Sequence, residues 1–319
     1  MPQPIDRHKF SGLAYALLSA LAFGGSGPFA RPLIDAGIAP IQVTWLRLLG
    51  MAFLMLPFAV RHRASLRSHW RLLLGYGAFA IAGVQALYFA AIARIPVGIA
   101  LLIEFLGPVL VVLWIAGVRR RPVSASATIG IALALLGLAG LLEVWEGMVL
   151  DPVGLLLAAA AAGCQAAFFL LSDAARDDVE PLALIGGGGC IAFAIMSVIA
   201  RPWTLPWSSL AGEILIAGRT APAMVSVLWL GLISTALAYL TGVAAVRRLS
   251  PPVAGGVAYL EVVVAIVLAW LLLAEALSAV QLTGAAVVAL GAYITQRATP
   301  EAGEQPEAIA APSSEKRYG

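Results

Sequence analysis

The stretch Ile95-Pro96-Val97-Gly98-Ile99-Ala100-Leu101-Leu102-Ile103-Glu104-Phe105-Leu106-Gly107-Pro108 decides how this chain is read. From Val97 the apolar run continues to Val118, and Glu104 is its only ionisable residue. About 20 apolar residues cross the hydrocarbon core of a bilayer as a helix. A carboxylate at that depth costs roughly 2.5–3.5 kcal/mol on insertion scales, so it faces a bundle interior or a watery cavity and marks a pathway. The run Pro252 to Leu273 repeats the arrangement in the second half, around Glu261. Two matched intramembrane glutamates read as parts of a secondary transporter.

Only 12% of the 319 residues are charged and 61% are hydrophobic, with a mean hydropathy of +0.94. Soluble domains carry about 25% charged residues, so the chain reads as a polytopic membrane protein whose length counts helices. The net charge of +3 reflects arginines in short loops, which orient a membrane protein and form no nucleic-acid patch. Cys164 and Cys190 fall inside apolar segments and read as packing residues, not a disulfide. Arg7, Lys9 and the Ala20-Leu21-Ala22 pattern resemble a cleavable signal. The apolar run continues to Ile34 and has a second-half counterpart, so it reads as a retained first span.

The expected spans are Ser11 to Ile34, Ile41 to Val60, Leu72 to Ala93, Val97 to Val118, Ala125 to Val144, Val153 to Ser172, Leu182 to Ala200, Ala223 to Val246, Pro252 to Leu273, and Leu277 to Gln296. With both ends in the cytoplasm, fifteen Lys and Arg lie inside, and Arg31, Arg94, Arg201 and Arg219 lie outside. That asymmetry supports an even number of spans. The basic-free loop with Glu143, Glu146 and Asp151 falls outside, as it should, whereas the acidic loop Asp173 to Glu180 runs the other way. Residues 1–10 read as a cytoplasmic N-terminus and residues 298–319 as a disordered cytoplasmic tail. Trp203 and Trp207 suit the outer interface, where Leu210 to Ala217 is expected to form a short helix.

Lining up the halves gives steady offsets: 142 for Gly12 and Gly154, 141 for Pro40 and Pro181, 157 for Glu104 and Glu261. Gly130 with Gly284 and Gly137 with Gly291 are both 154 apart. Residues 11–144 and 145–297 therefore read as two five-helix repeats. An odd number of spans per copy inverts the second copy, which places a site near the midplane, open to either side in turn. Glu104 then lies about eight residues, roughly 12 Å, from the outer end of its span, and Glu261 at a similar depth from the inner side.

These motifs carry a resemblance. Ile95 to Pro108 resembles the corresponding segment of the threonine/homoserine exporter branch of the drug/metabolite transporter superfamily, in its EamA-type members. Leu260-Glu261, Leu271 to Leu277 and Gln281-Leu282-Thr283-Gly284 resemble the closing motif of that family. The resemblance covers roughly residues 11–297 and implies an all-α membrane protein of ten helices in two inverted repeats. It further implies export of small metabolites, above all amino acids, across the inner membrane by alternating access, with protons as the coupling ion. A multidrug or other metabolite carrier, or a membrane sensor without transport, are the alternatives. One departure is Val262, where the family often has Pro after the glutamate.

Glu104 and Glu261 read either as structural carboxyls or as proton carriers and partners for a substrate ammonium group. Arg47, six residues into the second span, either snorkels to the headgroups or pairs with Glu104 or a substrate carboxylate. Gly25 and Pro28 are expected to break the first span, and Gly107 and Pro108 to kink the fourth; broken helices line many transporter sites. Gln85, Tyr88, Trp114, Gln165 and Tyr239 are further cavity candidates. Gly186 to Gly189 lacks the Lys and Ser/Thr of a phosphate loop and reads as close helix packing. No HExxH or GxSxG motif and no buried His point to an enzyme, and no motif calls for a metal or cofactor.

Overall fold

The computed structural model describes residues 7–118, 120, 124–141, 150–175, 178–246 and 260–298. The loop with Glu143 and Glu146, the basic residues Arg119, Arg121, Arg176, Arg247 and Arg248, the start of the ninth expected span at Pro252, and the tail beyond Ala298 lie outside that set. Helices dominate: α1 (Arg7–Gly24), α2 (Ser26–Asp35), α3 (Pro40–Arg61), α4 (Arg63–Ser68), α5 (Trp70–Gly75), α6 (Val84–Ile92), α7 (Val97–Glu104), α8 (Gly107–Gly117), α9 (Ala125–Leu141), α10 (Pro152–Ala174), α11 (Pro181–Ile199), α12 (Trp207–Leu210), α13 (Ala223–Leu228), α14 (Ala238–Val246), α15 (Leu260–Leu273) and α16 (Ala279–Ala298). Among the described residues, seven stretches are long and apolar enough to cross a membrane: Ser11–Asp35, Pro40–Arg61, Trp70–Ile92, Val97–Gly117, Pro152–Ser172, Leu182–Ile199 and Ala223–Gly242. The fifth, ninth and tenth expected spans coincide with shorter apolar helices, Ala125–Leu141, Leu260–Leu273 and Ala279–Thr295.

Proline starts several of these helices. Pro40 and Pro181 sit at the first turns of α3 and α11, where a missing N–H costs nothing and the fixed φ suits the helix. Two spans widen into π-helical turns, Tyr76–Gly83 between α5 and α6 and Trp229–Leu237 between α13 and α14.

Glycine sets the closest packing. α9 and α16 run antiparallel, Gly130 against Gly291 and Gly137 against Gly284. A Cβ at Gly137 would lie 2.8 Å from the Gly284 carbonyl oxygen, and one at Gly291 would lie 2.6 Å from that of Gly130. Small residues let helix backbones touch in this way. Elsewhere α3 packs on α11, α1 on α14, α6 on α10, and α7 on α15. The second-half π-turn packs on α3, and the first-half one on α11. The Gly186 to Gly189 run lies against Met51, Met55, Leu66 and Tyr76, at close helix contacts.

One expectation needs correction. Leu210 to Ala217 is not an interfacial helix: after the short α12, β1 (Glu213–Ile216) and β2 (Arg219–Pro222) pair antiparallel, Ile216 opposite Arg219. Ala217 and Gly218 both take positive φ, 53° and 71°, the two-residue turn that matches strand twist. Ile214 is buried, and the Ala217 N–H donates to the Leu272 carbonyl at 2.9 Å, so docking on the end of α15 favours the hairpin. The first span is interrupted at its glycines, where α1 ends at Gly24 and α2 begins at Ser26. Hydrogen bonds from the Gly25 N–H to the Leu21 carbonyl, 3.3 Å, and from the Phe29 N–H to the Gly25 carbonyl, 3.1 Å, link the two pieces across the bend.

Replacing Gly137 with Leu should force α9 and α16 apart and cost about 1–3 kcal/mol, as overpacking does. Thermal melting of the detergent-solubilised protein would show a lower midpoint; an unchanged midpoint would contradict this packing.

Candidate functional site

The bend in the first span gathers the site. Four consecutive small residues, Gly24-Gly25-Ser26-Gly27, are buried, and each touches a different element. A Cβ at Gly24 would fall 2.8 Å from the Glu261 carbonyl oxygen and 2.7 Å from Val264 Cγ1, on α15. One at Gly25 would fall 2.5 Å from Trp229 Nε1, at the start of the second π-turn. One at Gly27 would collide with the Tyr88 hydroxyl on α6 and with Val97 on α7. Ser26 Oγ accepts a hydrogen bond from Arg47 Nη1, on α3.

Arg47 is only 3% exposed and turned inward, which removes the snorkelling reading. Its Nε donates to Thr235 Oγ1 at 3.2 Å and its Nη2 to the Ser234 carbonyl at 3.0 Å. The Phe89 ring lies 5.7 Å from the guanidinium. The π-turn makes this possible: Ala238 N–H bonds to the Ile233 and Thr235 carbonyls and skips Ser234. The Ser234 carbonyl, which Ala238 would occupy in a regular α-helix, is left for the arginine. Thr235 Oγ1 in turn donates to the Leu230 carbonyl at 2.7 Å, and Ser234 Oγ donates to that of Ala22 at 2.7 Å.

Glu104 is the last residue of α7, 7% exposed, and followed by a tight turn at Phe105-Leu106 before α8. The Leu106 N–H bonds to Ile103 at 3.1 Å, and Gly107 and Pro108 open α8, so the expected kink lies directly after the glutamate. Among the described residues, Glu104 Oε2 is buried without a hydrogen-bond partner. Glu261 is half-buried in the first turn of α15. The register of α7 on α15 is set by Gly98, where a Cβ would meet Ile266 Cγ1 at 2.9 Å. Six residues on from Gly98 and five back from Ile266, at 1.5 Å per residue, bring Glu104 and Glu261 to about one level. Arg47 and both glutamates are within electrostatic range of one another, and Tyr88 and Tyr239 are each within range of all three. No ion pair within 4.0 Å joins Arg47 to either carboxylate among the described residues.

The other expected residues divide. Tyr88 is buried, and Tyr239 meets the Phe23 ring edge-on at 5.0 Å. Pro28 is buried in the first turn of α2. Gly107 lies against Gln165, whose Cγ would be 2.7 Å from an added Cβ, so this glutamine packs at the kink. Gln85 is half-buried on α6. Trp114 is 37% exposed and ten residues along from Glu104, roughly 15 Å, so it stands apart from the cluster. Sequence reasoning missed Ser26, Ser234, Thr235 and Trp229. Adjacent Ser234 and Thr235 inside an apolar span were the available signal.

A second polar cluster joins the helix ends beyond the site. Glu275 Oε2 accepts from the Val97 N–H at 2.8 Å and so caps α7. Arg31 lies 3.8 Å from Glu275 Oε1, bonds Asp35 at 2.9 Å, and donates to the Ile92 carbonyl. Burial holds the Glu275 carboxyl above the usual carboxylate range, against the Val97 N–H and Arg31. At the start of α10, the Arg94 hydrogen bond, 2.8 Å to Asp151 Oδ2, pulls that exposed carboxyl below its usual range.

A bundle of apolar helices with ionisable groups held at its centre is the build of a membrane carrier. The chain belongs to the EamA-like transporter family, whose profile matches residues 10–142 and again 152–297. It is thus a multi-pass membrane protein of a transporter family. It is 30% identical to the threonine/homoserine exporter RhtA of Escherichia coli (strain K12) over 280 residues, 87% of each chain. RhtA of Salmonella typhimurium (strain SL1344) is also 30% identical, over 89% of this chain and 91% of that one. A crystal structure at 20% identity superposes with a TM-score of 0.55, over 92% of this chain and 99% of its own, which bears on the fold alone.

Arg47→Lys should not substitute, because an ammonium cannot reach three acceptors arrayed around a planar fork. The variant should melt lower than wild type, with about 1–3 kcal/mol lost as buried acceptors lose their donors. A melting curve that overlays the wild type would refute this account of Arg47.

Proposed function

We propose that this chain is a secondary exporter of small amino acids, such as threonine and homoserine, driven by protons across a bacterial inner membrane. The observation that carries the reading is Glu104: a buried carboxylate oxygen without a hydrogen-bond partner among the described residues, level with Glu261 and in electrostatic range of Arg47. A carboxylate in such a place takes a proton or an ammonium group, one at a time. The names of the relatives at 30% identity support the same substrate class.

Alternating access follows from two inverted five-helix repeats, 11–144 and 145–297. Exchanging the halves turns the contact of Gly130 with Gly291 into that of Gly284 with Gly137, which also exists. It likewise turns α1 on α14 into α10 on α6, and the π-turn on α3 into the π-turn on α11. Such an exchange is what a two-fold axis in the membrane plane produces, and rocking about it exposes the site to each side. The distribution of Lys and Arg supports both termini in the cytoplasm.

Uptake of labelled threonine into inside-out vesicles tests the reading. Wild type should concentrate threonine when a proton gradient is imposed. Glu104→Gln should lose that accumulation, by about 100-fold or more, while inserting and melting normally. Undiminished uptake by Glu104→Gln would reduce the carboxylate to a structural group.

A further inference from the structure

We propose that Trp229 contacts the substrate directly, its indole N–H donating a hydrogen bond to a substrate oxygen while Glu104 takes the ammonium group. This rests on the amino-acid reading above and adds to it the donor that recognises the oxygen end of the molecule.

Among the described residues, three buried side-chain polar atoms have no partner: Glu104 Oε2, Ser226 Oγ and Trp229 Nε1. Native interiors pair nearly all such atoms, so each orphan asks for a ligand. The indole is otherwise firmly held, since its ring stacks on Phe29 with centroids 4.3 Å apart and planes 14° apart. Its nitrogen edge faces the bend of the first span, where a Cβ on Gly25 would sit 2.5 Å from Nε1 and 2.9 Å from Cε2 and Cζ2. Ser226 lies one turn earlier on the same helix face and is fully buried.

The neighbouring residues of the bend tie Trp229 to the site. Gly24 touches the Glu261 backbone, Ser26 bonds Arg47, and Gly27 touches the Tyr88 hydroxyl. Arg47 has five N–H groups, of which Ser26, Thr235 and the Ser234 carbonyl take three. The indole adds a neutral donor that no protein group takes among the described residues, and it offers no acceptor. The unpaired set, an anionic acceptor, a neutral donor and a hydroxyl, complements a zwitterion that carries its own hydroxyl. An apolar cation would satisfy Glu104 and leave Trp229 unpaired.

Trp229→Phe removes the N–H and keeps a ring to stack on Phe29. In inside-out vesicles, its KM for threonine should rise about tenfold with little change in maximal rate, the mark of a lost binding contact. The same assay with 2-aminobutyrate, which lacks the hydroxyl, locates the contact. A rise for both substrates assigns the carboxylate oxygen, and a rise for threonine alone assigns the hydroxyl; either supports the proposal. Unchanged KM values for a variant that still transports overturn the Trp229 proposal and leave the amino-acid reading intact. Wild-type vesicles that carry neither amino acid overturn both. If Trp229→Phe fails to accumulate, nitrogen-15 indole spectra of the wild-type protein in lipid nanodiscs decide. One indole signal should move on adding threonine; none moving would overturn the proposal.

Discussion

Everything at the centre of this bundle depends on how closely four small residues let five spans approach. Gly24, Gly25, Ser26 and Gly27 touch α15, the second π-turn, α3, and α6 with α7 in turn. A side chain at any of the three glycines would meet an atom within about the distance that Cβ contacts never reach. The bend in the helix matters less than its narrowness. With larger residues there, Glu261 and Arg47 would be held apart by the width of a side chain, and their mutual influence in a low-dielectric interior would fall.

The buried arginine exacts a matching arrangement. A guanidinium far from water is tolerable only if its N–H groups find acceptors. The second half supplies them by widening its eighth expected span into a π-turn, which frees the Ser234 carbonyl. The first half has the same widening at Tyr76–Gly83, but its partner helix α11 brings Gly188 there, with Tyr76 close against it. The same kind of π-turn thus serves a charged contact at Trp229–Leu237 and apolar packing at Tyr76–Gly83.

Much of this was legible in the sequence. Apolar runs marked where the helices would lie, because burial in lipid leaves few alternatives. Glu104 stood out because charge is rare at that depth, and Gly107-Pro108 announced the kink beside it. The rest depends on spatial neighbours separated by some 190 residues, such as Arg47 and Thr235. Nothing local reveals that Gly25 exists to clear the indole edge of Trp229, or that a π-turn frees one carbonyl. The hairpin at Glu213–Pro222 was missed because docking on α15 outweighs the local tendency toward helix.

In the proposed exporter, competition for one carboxylate accounts for coupling. Two carboxylates and one guanidinium leave one negative charge uncompensated when all three are ionised. An uncompensated charge away from water is costly, so the empty ionised site is the least comfortable state for rocking between the two sides. A proton on Glu104 removes that charge. A zwitterionic substrate brings no net charge, but its ammonium group gives Glu104 a partner at contact distance while its carboxylate turns to the donors at the other end. A protonated Glu104 offers that ammonium no counter-charge, so proton and substrate exclude each other at this carboxylate, and exchange of one for the other follows from that competition.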